Sequence, residues 1–168
     1  MALSEDELER LFVELETKLY NFALRWLWNP AVAEETVQDA FVRVWRQRDE
    51  VEASTARSLL YKITQNLCLN LRRRSQLPVA PLVSWIWGRP AAPAVDEEFL
   101  ARNRLAALYA AMEQLHPPLR EVLLMTEFSE MDYNEVAAAL GIPPGTVASR
   151  KNSALKQLRS LMQGVEDV

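Results

Sequence analysis

Residues 133–150 read Tyr133-Asn134-Glu135-Val136-Ala137-Ala138-Ala139-Leu140-Gly141-Ile142-Pro143-Pro144-Gly145-Thr146-Val147-Ala148-Ser149-Arg150. The run up to Leu140 suits a short helix, and its consecutive alanines let a second helix cross it closely. Gly141 can take the left-handed conformation that ends a helix. Ile142 then tucks into the angle between the helices. Pro143, Pro144 and Gly145 set the turn, and Thr146 can cap the helix that follows. The spacing predicts a helix-turn-helix, with one helix near Asn134 to Leu140 and a last helix from about Gly145 to Met162.

In that last helix Val147, Ala154, Leu155, Leu158, Leu161 and Met162 are available to a core. Ser149, Arg150, Asn152, Ser153 and Lys156 remain for the outer surface. Small hydroxyls, an amide and cations near a helix N-terminus are what base edges and phosphates require in a major groove. A plain bundle helix would explain the periodicity, but neither the turn nor the lack of acids.

The charge of the chain sums to −4, which by itself argues against nucleic acid. Its distribution argues the other way. From Ala53 to Val95 there is no acid, while Arg57, Lys62, Arg72, Arg73, Arg74 and Arg89 are basic. From Val136 to Val165 there is again none, with Arg150, Lys151, Lys156 and Arg159 present. The acids gather elsewhere, notably at Glu5, Asp6, Glu7, Glu9, Glu14 and Glu16. Two basic tracts on an acidic body suit two contacts with phosphate and other surfaces for protein partners.

Working toward the N-terminus, the pattern stays helical. Ser4 with Glu7 has the spacing of a capping box. Leu8, Leu11, Phe12, Leu15, Leu19 and Phe22 follow as one apolar stripe, and Asn29-Pro30 ends that helix. A second helix buries Val37, Ala40, Phe41, Val44 and Trp45, with Glu35, Gln38, Asp39 and Arg46 on another face. A third starts near Ser54 or Thr55, buries Leu59, Leu60, Ile63, Leu67 and Leu71, and ends after Arg72-Arg73-Arg74. On one face it carries Lys62, Gln65, Asn66, Asn70 and Arg73 at steps of three and four. Residues 76–96 hold Pro78, Pro81, Pro90 and Pro93, which forbid a continuous helix and mark a linker. Helices then resume at Asp96-Glu97-Glu98 and again at Pro117-Pro118. The fold class is therefore all-α, with an N-terminal helical bundle at 1–75, a Pro-rich linker at 76–96, and a helix-turn-helix domain at 97–168.

The single Cys68 excludes an internal disulfide, and with the lone His116 it offers no metal cluster. There is no glycine-rich phosphate loop and no nucleophile–base pair set in a motif, so neither an enzyme nor a cofactor is expected. No apolar run is long enough to span a bilayer, which predicts a cytoplasmic protein with no direct membrane insertion.

Taken together, the two halves resemble an extracytoplasmic-function (ECF) sigma factor, a small RNA polymerase specificity subunit. The resemblance lies in Ala33-Glu34-Glu35-Thr36-Val37-Gln38-Asp39-Ala40-Phe41-Val42-Arg43-Val44-Trp45, in Leu60 to Asn70 with the arginines after it, in Leu115-His116-Pro117-Pro118-Leu119-Arg120-Glu121-Val122, and in Gly145-Thr146-Val147-Ala148-Ser149-Arg150. It implies a sigma region 2 type bundle and a sigma region 4 type helix-turn-helix domain. Glu35, Gln38 and Asp39 would dock on core RNA polymerase. Lys62, Gln65, Asn66, Asn70, Arg72, Arg73 and Arg74 would grip the start-proximal promoter element as it melts. Thr146, Ser149, Arg150, Asn152, Ser153 and Lys156 would read the upstream element as duplex. An anti-sigma factor is implied as a further partner, and a stress- or signal-responsive set of genes as the target. No small-molecule substrate follows.

Asn70 stands where the family usually has Asp. Ala148 and Ser153 stand where many members have basic residues, which implies weaker DNA binding and a shallower salt dependence. Trp85 and Trp87, large aromatics in the linker, would either bury against a domain or dock on an inhibitor or in the polymerase channel. Two other readings compete. A sigma-like adaptor that captures an anti-sigma protein fits the acidic total charge, but not the arginine run. A helix-turn-helix regulator outside the sigma family leaves Glu34 to Trp45 unexplained.

Overall fold

The computed structural model describes residues 2–74 and 97–163, and among them the regular structure is helical. Helix α1 spans Glu5–Leu27, α2 Pro30–Arg46, α3 Ala53–Arg74, α4 Glu97–Gln114, α5 Pro117–Phe128, α6 Tyr133–Leu140 and α7 Pro144–Gln163. The linker, with the expectations for Trp85 and Trp87, lies outside the described residues.

Local chemistry sets most of these boundaries. Ser4 Oγ accepts from the Glu7 N–H at 3.3 Å, and Glu7 Oε2 accepts from the Ser4 N–H at 2.9 Å, which completes the capping box. The Ser4 hydroxyl also donates to Glu7 Oε2 at 2.7 Å, which holds the Glu7 carboxyl below its ordinary range. At the other end of α1, Trp28 turns left-handed at φ 53. Asn29 then caps α2, its Oδ1 accepting from the Val32 N–H at 3.2 Å ahead of Pro30 at the first helical position. One dipeptide therefore ends one helix and starts the next.

Helix α3 begins at Ala53, so Ser54 and Thr55 lie in its first turn rather than capping it. Thr55 Oγ1 instead donates to the Glu52 carbonyl at 3.1 Å. Helix α7 begins at Pro144, because proline there fits the first turn and loses no hydrogen bond. Thr146 is consequently inside that turn and is not its cap. Helix α6 carries a capping box not anticipated from the sequence: Asp132 Oδ1 accepts from the Glu135 N–H at 2.9 Å, and Glu135 Oε2 from the Asp132 N–H at 2.8 Å.

The described residues form two compact units, one of 2–74 with 124–144 and one of 97–123 with 145–163. In the first, α1, α2 and α3 pack pairwise. Ala23, Ala33, Ala40 and Ala56 are fully buried and let the helices close on Leu15, Leu19, Phe22, Val44 and Leu60. Phe22 meets Tyr61 edge-to-face with ring centroids 5.5 Å apart. Ahead of α1, the Leu3 N–H donates to the Val51 carbonyl at 2.8 Å, which pins the N-terminal strap to the loop before α3. Segment 124–144 joins this unit through α6 on α3, and Lys18 Nζ lies 2.6 Å from Glu130 Oε2. The Arg25 guanidinium covers the Phe128 ring at 4.0 Å from its centroid.

Two stripes differ from their expected registers. On α3 the fully buried positions are Ala56, Leu60, Tyr61, Thr64, Gln65 and Cys68, while Leu59, Ile63, Leu67 and Leu71 lie half-buried on the flank. Thr64 enters the core at little cost because its hydroxyl donates to the Leu60 carbonyl at 2.8 Å. Trp45, assigned by sequence to a buried stripe, is 38% exposed. It lies about 80° around α2 from Val37, and Arg48 stacks on it at 4.4 Å from its ring centroid.

In the second unit Ala111, Met112, Leu115, Val122, Val147, Ala154 and Leu158 are buried. Leu155 is 40% exposed and so leaves the core it was expected to join. Arg120 is buried with Glu113, Nη1 to Oε1 at 2.5 Å.

Candidate nucleic-acid interface

On α2, Glu35, Gln38 and Asp39 follow at the steps that share a helix face. Glu35 and Gln38 are exposed and Asp39 half-exposed, with Arg43 Nη2 3.0 Å from Asp39 Oδ2 one turn on. An exposed pair of that spacing contributes only about 0.3–0.5 kcal/mol, so the aspartate remains available to a partner. Asn70 and Arg74 of α3 line the same cleft as Glu35 and Asp39, a space of about 320 Å³ that brings two predicted sets of residues together.

On α3, Lys62, Asn66, Asn70 and Arg73 recur at steps of four, four and three and are all exposed, as is Arg74. The row pairs amides that can hydrogen-bond an unstacked base with cations that can hold a single-strand backbone. Gln65 does not join it. At about 100° per residue it sits some 60° from Lys62 toward the core, and it is only 2% exposed. Arg72 is half-buried, its Nη1 donating to the Trp26 carbonyl at 2.7 Å. Two residues expected on the promoter face therefore point inward.

The turn between α6 and α7 has the geometry its sequence suggests. Gly141 is left-handed at φ 66, ψ 36. The Ile142 N–H reaches the Ala137 carbonyl at 3.0 Å and the Gly141 N–H the Ala138 carbonyl at 3.4 Å, the two bonds of a Schellman motif. On α7, Val147, Ala154 and Leu158 are buried, and the opposite face presents Ser149, Asn152, Ser153 and Lys156. Thr146 and Arg150 flank that face, half-buried. The Ser149 hydroxyl donates back to the Thr146 carbonyl at 3.1 Å, which leaves its oxygen lone pairs facing outward.

Family models of Sigma-70 region 2 and Sigma-70, region 4 match residues 11–77 and 105–158. SigL of Mycobacterium tuberculosis, an ECF RNA polymerase sigma factor, is 30% identical over 165 residues, covering 96% of this chain and 93% of SigL. The chain belongs to the ECF sigma factors. SigE of Mycolicibacterium smegmatis is 32% identical over 161 residues, and the match spans 95% of this chain but 62% of SigE. CarQ of Myxococcus xanthus is 28% identical across 97% of the chain.

The fold has solved counterparts. CnrH, in complex with the cytosolic domain of CnrY, superposes with a TM-score of 0.71 at 23% identity, over 94% of this sigma factor and 88% of CnrH. RpoE of Bartonella quintana, in complex with the anti-sigma factor NepR, gives 0.67 at 22% identity, over 92% and 96%. The region 2 match covers most of α1 and all of α2 and α3, and the region 4 match covers the turn at Gly141 and most of α7. Among the described residues of this sigma factor no cluster of acids, histidine and cysteine could hold a metal ion, and no helix is long and apolar enough to cross a membrane.

Proposed function

We propose that this sigma factor carries core RNA polymerase to promoters of a stress- or signal-responsive set of genes, and that it does so by binding alone. The observation that carries the reading is the exposed row Lys62, Asn66, Asn70 and Arg73 on α3. A row that binds the melted strand better than duplex lowers the cost of opening by its difference in affinity for the two states. The division of labour follows the sequence. Residues 1–75 dock on polymerase through Glu35, Gln38 and Asp39 and hold the melted strand, and 76–96 connect. Residues 97–168 read the upstream element through Ser149, Asn152, Ser153 and Lys156, with Thr146 and Arg150 at the flanks. The proposed setting is the cytoplasm, where an anti-sigma protein restrains the chain as NepR binds RpoE of Bartonella quintana.

The test uses holoenzyme assembled from this chain and core polymerase, with permanganate reporting unpaired thymines on a responsive promoter. The double substitution Asn66→Ala with Arg73→Ala is expected to retain core binding and lose at least ten-fold in opening, about 1.4 kcal/mol. Opening as efficient as in the unsubstituted holoenzyme would overturn this reading.

A further inference from the structure

The three arginines that end α3 do not share a surface. Tyr61, Gln65, Cys68 and Arg72 recur at steps of four, three and four and make one stripe, beside the row of Lys62, Asn66, Asn70 and Arg73. The first three of that stripe are buried, so it faces the bundle core. Arg72 closes the stripe, half-buried, with its guanidinium on the Trp26 carbonyl at 2.7 Å across 46 positions of sequence. Trp26 belongs to the last turn of α1, where carbonyls have no amide partner within their own helix. The Trp28 N–H takes the Leu24 carbonyl at 2.8 Å as the chain turns left-handed. Arg72 takes the Trp26 carbonyl, and its charge suits the negative end of the helix dipole. Arg73 and Arg74 are exposed.

We infer that Arg72 is a positioning residue. Its guanidinium caps the C-terminus of α1 and locks the end of α3 to it, so that the amide–cation row meets the melted strand in one orientation. Arg73 and Arg74 supply charge to the phosphates, and Arg72 does not. This assignment rests on the reading of α3 as the promoter-strand face and divides the work within it.

The experiment uses holoenzyme containing the full chain, a single-stranded oligonucleotide of the start-proximal element from a transcribed promoter, and a titration of salt. Arg73→Ala and Arg74→Ala are each expected to reduce the slope of log affinity against log salt by about 0.7, the value for one phosphate contact on a single strand. Arg72→Ala is expected to leave the slope unchanged while promoter opening at equal occupancy falls several-fold. Should that variant fail to fold, phenylglyoxal modification of the unsubstituted chain, read by mass spectrometry, takes its place. Arg72 then stays unreactive with or without the oligonucleotide, while Arg73 and Arg74 react and are protected by it. A slope loss near 0.7 in Arg72→Ala, or protection of Arg72 that depends on DNA, overturns the inference. If neither Arg73→Ala nor Arg74→Ala changes the slope, the promoter-strand reading itself fails and this inference falls with it.

Discussion

Lys62 and Gln65 sit three positions apart on α3 and end in different media, the first exposed and the second in the core. Periodicity placed both on one face, since steps of three and four are the same to within the width of a side chain. What separates them is the helix they pack against, which no local pattern contains. Arg72 illustrates the same limit: its type and its neighbours read as phosphate-binding, while its guanidinium lies on the carbonyl of Trp26. Cys68, by contrast, is fully buried, as its residue type usually is. Tyr61 supports a prediction at this scale. Burial pushes its phenol up to about 12, from an ordinary value of 10, and its hydroxyl has no hydrogen-bond partner among the described residues. The unfolded chain releases that proton first, so the contribution of Tyr61 to stability is lost as pH rises from 10 toward 12. Tyr61→Phe should cost little at neutral pH and flatten the alkaline loss. Urea denaturation at neutral pH and midway through that window checks this, and curves parallel to those of the unsubstituted chain would contradict it.

At the scale of elements, boundaries followed from the caps read at Ser4, Asn29 and Gly141 and shifted at α3 and α7, where Ser54, Thr55 and Thr146 lie inside the first turn. Asn29-Pro30 and Gly141 act as their types dictate, whereas Asp132 with Glu135 has the spacing of a capping box and is overshadowed by the louder turn signal that follows it. Gly141→Ala forces a side chain into φ 66 and should cost about 1 kcal/mol. Gly141→Asn should cost less, because Asn tolerates that region. Both appear as shifts in Tm, and equal losses would argue against the left-handed turn. The Arg120–Glu113 pair was not legible, since charged residues are rarely placed in a core on sequence grounds. With side chains only 4% and 12% exposed, removing one partner takes the counter-charge from the buried charge of the other. Glu113→Ala should therefore destabilise by about 3–5 kcal/mol, whereas Arg120→Met with Glu113→Leu should lie much closer to the parent. A double substitution as damaging as the single one would show that the pair contributes more than its mutual neutralisation.

For the whole molecule, the helical class and the order of the motifs were legible because each motif has its own local logic and the segments occur in one order. Glu35 and Gln38 on α2 and Ser149, Asn152, Ser153 and Lys156 on α7 are exposed as periodicity suggests, since amphipathic spacing alone divides inside from outside there. What sequence could not supply was the partition of one helix between two neighbours, as on α3. The distribution of charge also matters more than its sum of −4, because contacts with phosphate are made by local tracts. If that distribution serves promoter-directed transcription, run-off synthesis from a fragment library of the source genome reads it out in one step. The purified chain is added to core RNA polymerase, with core alone as control. Selective transcripts whose templates share two spaced upstream motifs are expected. Well-folded chain that neither binds a cognate core enzyme nor yields selective transcripts would contradict the proposed function.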